Sequence, residues 1–114
     1  MKIDLDTIIT DLEGKPVQVP DGTGRDPVTQ RENTKDLTLS NACIITLRTE
    51  IPGDDKTDTE EAKMKRYRLA QRIVAGGKQD LKAEEIELVR TRLHKVFGME
   101  VMGAVQDLLE PPTG

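Results

Sequence analysis

Residues 59–110 read TEEAKMKRYRLAQRIVAGGKQDLKAEEIELVRTRLHKVFGMEVMGAVQDLLE, and the reading of this stretch decides the fold. Apolar side chains recur in it at three- and four-residue intervals, the signature of helices that bury one face. Glycine interrupts the pattern at Gly76-Gly77 and again at Gly98, so the spacing predicts helices over 59–75, 81–97 and 99–109. In the first, Ala62, Leu69, Ala70, Ile73 and Val74 share a face, with Tyr67 at its border. In the second, Ile86, Val89, Leu93, Val96 and Phe97 form the stripe, and Asp80 is the expected N-cap. In the third, Val101, Met102, Val105, Leu108 and Leu109 line up before Pro111-Pro112 ends the element. Ahead of the first helix, Thr57-x-x-Glu60 has capping-box spacing. Capping explains the acidic run at 54–61 better than a calcium loop, which needs a glycine at its sixth position and a closing glutamate at its twelfth.

Three features of this block depart from a plain amphipathic scheme. Lys65, Arg68 and Arg72 fall at i, i+3 and i+7, opposite the apolar face. Six bases and no acid stand between Lys63 and Lys78, in a chain whose net charge is −4. Arg66 falls inside the apolar arc, where it must snorkel outward or pair with an acid from another element. Leu88 lies off the stripe of its helix. Lys65, Arg66, Arg68, Arg72 and Leu88 are therefore the candidate partner-binding residues. The plain alternative for the basic stripe is a solvated helix face. A nucleic-acid interface is the competing functional reading, and it would be strongly salt-dependent. Only Tyr67 is available to stack on a base, and the net negative charge opposes a polyanion.

Outward toward the N-terminus, Ile3, Leu5, Ile8 and Ile9 precede the turn-like Asp11–Pro16 segment, and Val17 and Val19 alternate with polar residues after it. That pattern predicts a short β-hairpin over residues 1–19. Residues 20–36, PDGTGRDPVTQRENTKD, hold one large apolar side chain, Val28, and are expected to form a flexible, disordered loop. Residues 37–51 admit two readings. Ile45, Leu47 and Ile51 fit a strand period, whereas Thr38 or Ser40 capping a helix would put Leu39, Cys43 and Leu47 on one face. Cys43 sits among apolar residues either way, as a buried structural thiol.

The remaining chemistry is sparse. At 114 residues the chain is expected to form one domain with a core of aliphatic side chains, since it has one Tyr, one Phe and no Trp. One cysteine permits no internal disulfide, residues 1–20 lack the apolar core of a secretion signal, and no 18-residue apolar run occurs. The expectation is a cytoplasmic protein that does not enter membranes. His94 is the single histidine and has no partner at metal-ligand spacing. Gly22-x-Gly24 lacks the ending of a phosphate loop. Nothing points to catalytic, metal or cofactor-binding residues, and no small-molecule substrate or enzyme activity is expected.

The order of motifs resembles that of small bacteriophage and prophage proteins. Leu12-Glu13-Gly14-Lys15-Pro16 matches an L-[DE]-G-K-P turn, and Leu37-Thr38-Leu39 an L-T-L start. Lys63, Arg66, Tyr67, Leu69, Ala70 and Ile73 match a basic helix motif. Leu81, Glu84, Glu85 and Ile86 match the start of the next helix, and Gly103, Leu108, Leu109 and Glu110 the end. The resemblance implies a phage origin, favours helix over strand after Leu37, and carries no site residues. The expected fold is α+β, a short N-terminal hairpin packed on three to four helices. The expected function is a non-enzymatic accessory protein working through contacts with a phage or host protein, or with itself. Its setting would be virion (tail) assembly or host modulation, in the host cytoplasm or on the virion.

Overall fold

The computed structural model describes residues 2–51 and 59–109, and eight elements follow one another within them. They are β1 (Lys2–Asp4), β2 (Gln18–Arg25), β3 (Glu32–Asp36), α1 (Leu39–Arg48), α2 (Glu60–Val74), β4 (Lys78–Asp80), α3 (Ala83–Val96) and α4 (Met99–Leu109). The fold is α+β. Strands pair antiparallel as two ribbons, β1 with β4 and β2 with β3. The helices bundle, with α1 packed on both α2 and α3 and α4 packed on α3.

α1 and α2 each begin at a threonine whose side chain satisfies a free N–H group. Thr38 Oγ1 accepts from the Asn41 amide at 3.2 Å, which makes residues 39–48 helix rather than strand. Thr59 does the same for α2, accepting from the Ala62 amide at 3.1 Å. Thr57, together with Pro52-Gly53 and Pro111-Pro112, lies outside the described residues. At α3 the expected Asp80 cap gives way to Lys82, whose amide donates to Glu85 Oε1 at 2.9 Å. Asp80 is instead the last residue of β4, opposite Lys2.

The core is threaded by residues 3–9. Leu5 is fully buried, and its amide donates to the Gly77 carbonyl at 2.9 Å while its own carbonyl accepts from Ser40 at 2.9 Å. Leu39 donates to Thr7 O at 2.8 Å and Ile9 to Leu37 O at 2.8 Å. This one segment therefore holds the start of α1 and the end of α2 together. Around it Leu37, Leu39, Ile73, Val89, Leu93, Val105 and Leu109 are fully buried. A Leu or Ile taken wholly out of water contributes about 1.5–3 kcal/mol, so this aliphatic cluster supplies the main driving force. Ser40 Oγ donates to the Ile73 carbonyl at 3.0 Å and satisfies a buried acceptor at the end of α2.

The hairpin expected at residues 1–19 is present as a bridge between Thr10 and Pro16 around a tight turn. Asp11 Oδ1 accepts from the amides of Glu13 (2.9 Å) and Lys15 (3.0 Å) there. The loop expected at 20–36 is overturned. Most of it belongs to the β2–β3 ribbon, paired Gln18↔Asp36, Val19↔Lys35, Pro20↔Thr34 and Arg25↔Glu32 with a bulge between Pro20 and Arg25. Val19 alone of its apolar side chains packs on the core, and beyond it hydrogen bonds join the two strands: Thr34 Oγ1 donates to Gln18 Oε1 at 3.1 Å and Asn33 Nδ2 to Thr23 Oγ1 at 3.0 Å. Val28 near its tip is exposed.

Candidate interaction surface

Of the five candidate residues, four converge. Lys65, Arg68 and Arg72 of α2 face Glu84, Glu85 and Glu87 of α3 across a groove of about 590 Å³, with Leu69 and Leu88 between the two charged walls. The convergence follows from spacing. Residues 65, 68 and 72 share one face of α2, and 84, 87, 88 and 91 share one face of α3. Leu88 is half-buried against the core and presents its remaining surface to the groove, which accounts for its place off the apolar stripe.

The stripe is not as bare as its sequence implies. The Arg72 guanidinium pairs with Glu85 across the groove and donates to the Asp80 carbonyl at 3.2 Å, closing one end. Lys65 lies 3.8 Å from Glu61 one turn earlier, an exposed pair worth about 0.3–0.5 kcal/mol. Arg68 makes no ion pair among the described residues.

Arg66 goes elsewhere. It is half-buried, engaged in an interaction of its own, and lines a second hollow, between α1 and α2. That hollow, of about 380 Å³, is floored by Ile44, Leu47, Tyr67, Ala70 and Val74 and rimmed by Arg48, Lys63 and Arg66. Here the apolar face expected for α2 is corrected. Leu69 and Ile73 are buried, but Val74 is 68% exposed and Tyr67 57% exposed, because the face is wider than α1 covers.

Sequence reasoning missed Arg92, which is 7% exposed on α3. Its Nε donates to the Thr46 carbonyl at 3.1 Å and its Nη2 to Thr49 O at 2.5 Å, so the guanidinium caps the C-terminal end of α1. The available signal was its position inside the buried arc between Val89 and Val96, the reasoning already applied to Arg66. Of the methionines on α2 and α4, Met102 packs on the core, while Met64 and Met99 are exposed.

The reactive side chains stand apart. Cys43 is fully buried, and burial pushes its thiol up to about 12. His94 is exposed at the end of α3. Among the described residues no group of three or more His, Cys, Asp or Glu side chains is placed to hold a metal ion, and no helix is long and apolar enough to cross a membrane. Comparison of the chain with protein-family models, curated proteins and solved structures returns no match.

Proposed function

We propose that this protein is a non-enzymatic accessory protein of a phage or prophage that works by protein–protein contact. Its setting is virion (tail) assembly or host modulation, in the host cytoplasm or on the virion. The observation that carries the reading is the α2–α3 groove, where cationic and anionic walls face one another across Leu69 and Leu88. A partner segment with an apolar ridge and both signs of charge fits such a groove, and helix-in-groove recognition uses that arrangement. The scarcity of catalytic groups supports the same reading: the thiol is sealed in the core and the one histidine is exposed at a helix end.

A nucleic-acid regulator is the competing reading, favoured by Lys65 and Arg68 side by side in the groove. The acidic wall of α3 weighs against it, since three carboxylates would face any bound phosphate. The test is a titration of short duplex DNA at low and moderate salt. The expected result is no specific binding at either. Tight binding abolished by Lys65→Glu with Arg68→Glu would overturn the proposal.

A further inference from the structure

The α1–α2 hollow is a different surface from the groove. Its floor joins Ile44 and Leu47 of α1 to Tyr67, Ala70 and Val74 of α2, and two of these, Tyr67 and Val74, belong to the exposed large apolar residues of the molecule. Exposed apolar side chains that adjoin one another mark contact sites, whereas scattered ones do not. Arg48, Lys63 and Arg66 rim the floor and no acid among the described residues lines it, in a chain with 21 acids against 17 bases. Arg48 and Lys63 are exposed and make no ion pair among the described residues. Gln71 Nε2 donates to the Tyr67 hydroxyl at 3.2 Å, one turn along α2.

From this we infer that the α1–α2 hollow is a docking site for an acidic amphipathic helix of a partner protein. The inference rests on the protein-contact reading above and names the chemistry of one partner. Two packed helices leave a groove that accepts the side-chain ridge of a third. The α2 wall from Lys63 to Val74 runs about 17 Å, enough for roughly three turns of a bound helix. Apolar residues at i, i+3, i+4 and i+7 of that helix would meet the floor, and flanking carboxylates would meet Arg48 and Lys63. A floor recessed between two helices suits such a ridge better than a flat lipid surface.

The probe is a labelled synthetic three-turn peptide with leucines at that spacing and glutamates flanking them, alongside a lysine analogue of the same spacing. Binding is read by fluorescence anisotropy on the full chain. The acidic peptide is expected to bind at low salt and to weaken about tenfold in an Arg48→Glu, Lys63→Glu variant, as close charge pairs at an interface do. Val74→Glu should weaken it as well. All three residues are exposed, so circular dichroism should show these variants folded. Lys65→Glu with Arg68→Glu, in the other groove, should leave peptide binding unchanged. Equal affinity for the lysine peptide overturns the inference, as does loss of binding through the α2–α3 variant or absence of binding altogether. Binding to anionic vesicles, or self-association sensitive to Val74→Glu, in place of peptide binding would reassign the hollow to a membrane or to a second copy. Failure of the peptide leaves the function proposed above standing, because that fails only through the DNA titration.

Discussion

Gly76 and Gly77 sit side by side with nearly equal positive φ, +69° and +72°, and differ in what surrounds them. A Cβ on Gly77 would meet nothing within 4 Å, whereas one on Gly76 would lie 2.8 Å from Asp6 Oδ1. That same oxygen accepts the Gly77 amide at 3.0 Å. Gly77→Ala should therefore cost about 1 kcal/mol, the left-handed penalty for an L-residue partly offset by a less flexible unfolded chain. Gly76→Ala carries the same penalty and also displaces Asp6, losing a hydrogen bond worth about 1 kcal/mol, for about 2 kcal/mol in all. Asp6→Ala alone should cost about 1 kcal/mol, and the Asp6→Ala, Gly76→Ala double variant about 2 kcal/mol where additivity would give about 3. Urea unfolding followed by circular dichroism gives all four values. Equal costs at the two glycines, or full additivity in the double variant, would show that the contact between Asp6 and the glycine turn does not tie the N-terminal segment to α2.

Two further outcomes test the core and the ribbon. A Cys43 thiol at about 12, against an ordinary 9.0, carries roughly a thousandfold less thiolate near neutral pH, so a thiol reagent should label it only as fast as the molecule opens. Rapid labelling of the native protein, followed by mass spectrometry, would contradict its burial. In the β2–β3 ribbon, the Thr23 hydroxyl and amide donate to Asp21 (2.6 and 2.8 Å) and hold its carboxyl below the usual 3.8. A depressed carboxylate stabilises the fold above the unfolded value and loses that contribution as pH falls through the folded one. The Thr23 amide resonance should therefore titrate with a midpoint below 3.8, and Asp21→Asn should abolish the transition; a midpoint at or above 3.8 would refute the contact.

α2, α3 and α4 were legible because each announces itself locally, whereas the residues of α1 admitted a strand period as well as a capped helix. Thr38, Gly76-Gly77 and Gly98 sit where elements start or stop, and the Ile86, Val89, Leu93 spacing maps directly onto buried positions. The two ribbons were not legible. β1 and β4 are three residues each and stabilise one another across more than half of the chain, a distance at which no local pattern operates. β2 and β3 lack the apolar alternation that marks a half-buried strand, because their side chains bond to one another in water. At the candidate site, a basic helix and an off-stripe leucine were visible, but the acidic wall opposite them was read as the start of a helix. Glu84, Glu85 and Glu87 do serve α3 electrostatically, and facing α2 is a tertiary fact that their spacing does not encode.

The pairing of Lys2–Asp4 with Lys78–Asp80 also sets an order of events during synthesis. At about 5–20 residues per second, residues 3–6 wait several seconds between their own translation and that of the strand and glycine turn they bind. Through that interval Ile3 and Leu5, destined for the core, have no β4 or Gly77 to bond to, while Ile9 can already meet Val17 and Leu37. α1 and α2 are able to form on local signals in the meantime. β1 can thus close its ribbon only after α1 and α2 have been made, and slow emergence of Gly77 to Asp80 would extend the time in which a nascent chain leaves Ile3 and Leu5 without their partners.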